Sequence, residues 1–132
     1  TYTKKIQIES RVIADLAVNN IIPTAIGYQN KLIQNVKGIR EIGLKSSFAS
    51  TQMEIIKEIS THIDAIKKDA DAMTNERKKA NQISEARHKA IAYCDKVKPY
   101  FDTIRYHVDK LEILVEDEAW PLPKYRELLF KR

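Results

Sequence analysis

Apolar residues recur along this chain at the three- and four-residue steps of a helix rather than the alternation of a strand. From Tyr2 to about Val36 the positions Ile6, Ile13, Ala17, Ile21, Ala25, Tyr28, Leu32 and Val36 fall on one face. A helix of about 36 residues is a rod of about 54 Å. Pro23 lies inside it, where it removes a backbone donor and crowds the carbonyl four residues back, yet the apolar face resumes afterwards. The pattern predicts a kink and not a stop. Gly38, Gly43, Ser46 and Ser47 then mark a turn. Thr51 and Glu54 have the spacing of a capping box at a helix start. Ile56, Ile59, Ile63, Ile66, Ala70 and Met73 follow as a heptad seam. Residues 74–82, "TNERKKANQ", hold one small apolar residue, Ala80, and are read as the second reversal, with a continuous helix through them as the competing reading. The last seam is Cys94, Val97, Phe101, Ile104, Val108, Leu111 and Val115, which passes Pro99 without losing phase and predicts a second kink there.

These elements predict an all-α fold: an antiparallel up-down-up bundle of three long kinked helices, over about 2–37, 47–73 and 82–118, within a bundle domain of residues 1–118. Composition agrees. Three glycines and four prolines punctuate 132 residues, and 31% of the residues are charged. The net charge of +5 comes from 23 bases interleaved with 18 acids. The local excess at Arg77, Lys78, Lys79, Arg87 and Lys89 reads as a solvated helix face and not as a nucleic-acid groove. No apolar run approaches the ~20 residues of a membrane span. The single cysteine has no intrachain partner and fits a reducing compartment.

Candidate chemistry is sparse. His62, His88 and His107 share no metal-ligand spacing with one another or with Cys94. Cys94, on the last seam, is expected as a small buried thiol. There is no glycine-rich phosphate loop and no short catalytic signature. Glu112, Glu116, Asp117 and Glu118 crowd a helix C-terminus, where the dipole disfavours them. An exposed, screened end is one account and a basic partner surface facing it is the other.

The end of the chain breaks the helical pattern. Pro121 and Pro123 each push the preceding residue into an extended conformation, so "WPLP" is predicted to leave the helix as a stiff segment opening a tail over 119–132. Trp120 and Leu122 project from it, and Lys124–Phe130 has room for one helical turn carrying Tyr125, Leu128, Leu129 and Phe130. Exposed, this tail is a docking segment whose interface residues are Trp120, Pro121, Pro123, Tyr125, Leu128, Leu129 and Phe130. Folded back, it would cover its own bundle.

Three stretches resemble the C-terminal region of the type III glutamine synthetases, the long-subunit class found mostly in bacteria. They are "EDEAWPLPKYRELLF" at 116–130, "NNIIPTAIGYQNKLI" at 19–33 and "AYCDKVKPYFDTIRYHVDKLEILV" at 92–115, together under half of the chain. The resemblance implies a parent enzyme that condenses glutamate with ammonia, using ATP and a divalent metal such as Mg through a γ-glutamyl phosphate. It implies a cytoplasmic, ring-shaped homo-oligomer of stacked hexamers. The metal and nucleotide sites would belong to a catalytic domain upstream of Thr1, so no catalytic, cofactor or metal residue carries over to this chain. A first residue other than Met fits a piece of a longer polypeptide. Its partners would be that upstream domain and neighbouring subunits, with no nucleic acid and no membrane. The alternative is a stand-alone helical-bundle sensor or adaptor.

Overall fold

The computed structural model describes residues 2–115. Among them there are helices and no strand, arranged as three long rods. The first rod runs through α1 (Tyr2–Leu16), a π-helical turn at Ala17–Ile21, and α2 (Ile22–Glu41). A 3₁₀ turn at Ser46–Ala49 leads into α3 (Ser50–Asn81), the second rod. The third comprises α4 (Ala86–Ala92), a second π-helical turn at Tyr93–Val97, and α5 (Pro99–Leu114).

Both interior prolines are accommodated by the same device. The N–H of Ile22 donates to the carbonyl of Ala17, and that of Lys98 to the carbonyl of Tyr93 at 3.0 Å. Each bond spans five residues, and each donor immediately precedes a proline, Pro23 or Pro99. A proline ring crowds the carbonyl four residues back. Here those carbonyls belong to Asn19 and Asp95, both inside a widened π-turn. The Thr24 hydroxyl donates to the Asn20 carbonyl at 2.8 Å, a back-bond typical of bent helices. The rods therefore continue through their prolines, and the extra residue in each turn resets the phase of the buried face.

That reset corrects one expectation. Cys94 is exposed, and Tyr93 is completely buried in its place. The step from Tyr93 to Val97 spans the π-turn, so the seam Val97, Phe101, Ile104, Val108, Leu111, Val115 extends backwards to Tyr93 and not to Cys94. The Tyr93 hydroxyl donates to Asn81 Oδ1, which satisfies the one polar atom this large side chain carries into the core. Burial raises the phenol above its ordinary pKa, opposed by the charges of Arg77 and Arg11.

The reversals also differ from expectation. α2 runs to Glu41 and ends in a Schellman turn: Leu44 N–H donates to the Ile39 carbonyl at 3.2 Å and Gly43 N–H to the Arg40 carbonyl at 3.0 Å. Gly43 has φ +90°, which is why glycine occupies this position. Thr51 lies inside α3 and makes no cap; the helix follows Ala49, with the Ser50 hydroxyl bonded to the Ser47 carbonyl at 3.0 Å. α3 continues through the polar stretch 74–81, because Ala80 is buried and Lys79 pairs with Glu76 at 3.6 Å. The second reversal falls at residues 82–85 instead of 74–82. Glu85 caps α4 there, its carboxylate accepting from the backbone N–H groups of Arg87 and His88.

α3 is the central rod and packs against α1, α2 and α5. Its Ile59, Ile66, Ala70 and Met73 are buried, whereas Ile56 and Ile63 are only partly so. Ile6, Ile13, Ala17, Ile21 and Ala25 of the first rod join the same core. Beyond Ala25 the burial fades: Tyr28, Leu32 and Val36 are half-buried.

Register explains the fading. His62 on α3 faces His107 on α5. Eight residues past His107 is Val115, where the described part of the third rod ends, and eight residues before His62 is Glu54. Gln52 bonds Asn35 at 2.8 Å, so the level of Glu54 on α3 corresponds to about Ile33 on α2. The last eight residues of α2, about 12 Å of helix, thus pack on α3 without the described third rod beside them.

The phase reset makes opposite predictions for two adjacent residues. Tyr93→Ala is expected to destabilise the chain by about 3–5 kcal/mol, as for other buried aromatic truncations. Cys94→Ala is expected to change stability by less than about 0.5 kcal/mol. Urea denaturation of the two variants checks this, and the reverse order would return the seam to Cys94. By the same reading Ile66→Ala costs about 2–5 kcal/mol and the half-buried Ile63→Ala measurably less.

Candidate functional site

The predicted docking residues, Trp120, Pro121, Pro123, Tyr125, Leu128, Leu129 and Phe130, lie outside the described residues. So do Glu116, Asp117 and Glu118. Among the described residues, no three His, Cys, Asp or Glu side chains come together in a metal-binding group, and no helix is long and apolar enough to cross a membrane.

Exposed apolar side chains occur along all three rods, Ile113, Ile8 and Tyr106 among them, and several lie at the tip formed by the end of α2, the turn and the start of α3. Ile42 is 74% exposed and Phe48 is 64% exposed, with Leu44 and Met53 also uncovered. An open hollow beside them is lined by Val36, Arg40, Leu44, Ser46, Ser50 and Met53. The sequence pattern marked this segment only as a turn. Its apolar residues have no helical periodicity, and only Leu44 and Met53 of the four line the hollow. Single exposed apolar residues are ordinary; here four lie within twelve residues of chain at one end of the bundle. The tip is also the end at which the third rod reaches Val115.

A second feature is a pair of histidines that the sequence reading treated separately. His62 Nδ1 and His107 Nδ1 lie 2.9 Å apart, across the α3–α5 interface. Each ring sits one residue before a seam position, Ile63 or Val108, at the edge of the packed interface. Tyr106 stands edge-on to His107 with ring centres 5.0 Å apart, and 6.4 Å from the His62 ring. Lys110 Nζ lies 5.4 Å from the Tyr106 ring centre. Burial holds the His62 imidazole below its ordinary pKa; His107 and Lys110 push the same way, and Glu58 opposes them. An antiparallel hairpin pairs residues equidistant from its reversal. A reversal at 82–85 brings His62 opposite the turn of α5 that holds Arg105 and His107, whereas one at 74–82 would have brought it opposite Cys94.

At the opposite end, the Tyr2 hydroxyl donates to Cys94 Sγ at 3.7 Å, and Lys98 Nζ donates to the Tyr2 hydroxyl at 3.4 Å. This corner joins the start of the first rod to the third. Of the basic side chains expected on a solvated face, Lys78, Lys79 and Arg87 are exposed around the second reversal, whereas Arg77 and Lys89 are half-buried.

Comparison with known proteins adds to this geometry. Residues 1–40 match the family model for the glutamine synthetase C-terminal domain. A glutamine synthetase from Bacteroides fragilis (strain YCH46) is 48% identical over 134 residues, covering 99% of this chain and 18% of the relative. A type-3 glutamine synthetase from Dictyostelium discoideum is 30% identical over 139 residues, with the same coverage of both. A glutamine synthetase from Butyrivibrio fibrisolvens is 22% identical over 98% of this chain and 18% of its own length. The chain thus spans under a fifth of the length of these relatives, and nearly all of it is matched. Nearly the whole chain is thus similar to a part of glutamine synthetases, and its first 40 residues to the C-terminal domain of that family.

Proposed function

We propose that this chain is the accessory C-terminal domain of a type III glutamine synthetase, and that it packs and assembles the enzyme without contributing catalytic groups. The observation that carries this reading is the 48% identity to a glutamine synthetase across 99% of the chain, in a match that occupies only 18% of that relative. The three stretches that resemble type III enzymes and the 30% identity to a type-3 relative support the subclass. In the whole enzyme, ATP would phosphorylate the γ-carboxylate of glutamate, and ammonia would displace phosphate from the resulting acyl phosphate to give glutamine. The ATP and Mg sites would lie in the remainder of the polypeptide. The enzyme would be cytoplasmic, in keeping with a chain that relies on no disulfide.

The bundle's part in this is mechanical. Kinked rods sharing one core hold the tip at a fixed distance from the second reversal. Ile42, Leu44, Phe48 and Met53 are available there to bury against the catalytic domain or a neighbouring subunit of a stacked ring. Residues 116–132 follow Val115 in the chain, and their Trp120 and Phe130 are a second set of candidate anchors. Aromatic anchors of this kind concentrate binding energy.

Two sets of substitutions test the reading in the full-length enzyme. Ile42→Ser with Phe48→Ser is expected to shift the assembly toward smaller species in sedimentation velocity and to lower activity with it. In the isolated chain the same pair should change stability by less than about 0.5 kcal/mol per site, because both side chains are exposed. Trp120→Ala with Phe130→Ala should also weaken assembly. Full assembly and activity in both double variants would overturn the proposed role.

A further inference from the structure

The His62–His107 contact imposes a condition on protonation. Two imidazole nitrogens at 2.9 Å are within hydrogen-bond distance, and such a bond needs one N–H and one bare nitrogen. The pair can therefore be wholly neutral or carry one excess proton. With both rings protonated, N–H faces N–H and two positive charges meet. Lys110 on α5 adds a third cation nearby, with Glu58 on α3 opposing it. Of the other charged groups on α5, Arg105 and Asp109 flank His107 and lie 3.9 Å from each other. The first rod brings Thr24, Ala25 and Tyr28 to this level, and Tyr28 is the titratable side chain among them.

Position gives the contact its leverage. It lies at the edge of the α3–α5 interface, level with the segment where the third rod makes its last turns before Val115. Ile104, Val108 and Leu111 are completely buried on either side of His107, so a change in the pair acts on the packed edge of the core and not on a free surface.

We propose that His62 and His107 form an acid-labile clasp that holds the last turns of α5 against the middle of α3, and that protonation of both rings releases it. The direction follows from linkage. His62 titrates below its ordinary value in the folded chain, so the unfolded chain takes up a proton first on acidification. The stability contributed by this histidine is present above about pH 6.5 and is lost as the pH falls through its lowered folded value.

Amide hydrogen exchange of the 132-residue chain, corrected for the intrinsic effect of pH, tests the clasp. Between about pH 7.5 and about pH 5, exchange at Ile104–Leu111 is expected to quicken by about tenfold or more, ahead of the α1 amides at Ile6–Ile13. His62→Gln retains a side chain that can hydrogen-bond His107 but does not titrate, so it should remove most of this acid response. His107→Gln is the reciprocal test. His88→Gln, at an exposed position, should leave the response as in the wild type. Wild-type α5 protection that is unchanged over this range would overturn the proposal. So would an acid response as large as the wild type's in both glutamine variants, or an opening that is uniform over all three rods. The wild-type titration alone decides the matter if neither glutamine variant folds.

Discussion

Everything in this fold depends on α3 being buried by the other two rods at once. A single helix of 32 residues gains little from intrinsic propensity, and an apolar stripe on it is stable only when covered. Ile59, Ile66 and Met73 are covered because the first rod and the third both lie along α3. Each buried side chain of this size contributes about 1.5–3 kcal/mol. The arrangement demands that the flanking rods keep their apolar faces turned inward over their whole length. Pro23 and Pro99 threaten that, and the two π-turns answer it. Each widens the helix where a proline ring would strike a carbonyl, and each carries the buried face across the disturbance by one extra residue.

The same constraint decides how much the sequence could show. Three rods, their order and most of the core were legible because periodicity records burial directly, and the run Val97, Phe101, Ile104, Val108, Leu111, Val115 is all core. Misreading Cys94 as core follows from extrapolating an α-helical period through a turn that is not α-helical. The second reversal was misplaced because polarity was taken for a loop. Residues 74–81 are polar on the side that faces water, while Ala80 keeps the helix on the core with a side chain too small to stand out. The true break is marked by Glu85 as a cap, a weaker signal than glycine or proline. The His62–His107 pair was hidden by that same displacement, since cross-helix partners are set by the position of the turn between them. The tip was hidden for another reason: its apolar side chains have no period to detect.

Function is read here from a different layer. The bundle architecture on its own would suit many roles, and the similarity to glutamine synthetases comes from identity along the chain. What the structure contributes is a distribution of work along the rods. The second reversal carries exposed basic side chains, the middle is a packed core edged by the His62–His107 contact, and the tip exposes Ile42, Leu44, Phe48 and Met53. Under the proposed accessory role, this gradient would direct association to one end. It would also place the proposed histidine clasp between the core and that end, so that loosening the last turns of α5 would be felt at the tip before it reached Tyr93 or Ile66.

The most direct measurement is amide exchange at residues 42–54, compared between the isolated chain and the assembled full-length enzyme at one pH. The account predicts that the amides of α3 from Ile59 to Met73 are protected in both, while those of the tip are exposed to exchange in the isolated chain and protected on assembly. Tip amides that exchange equally fast in the two states would contradict it, because the apolar end of the bundle would then face water in the working enzyme as well.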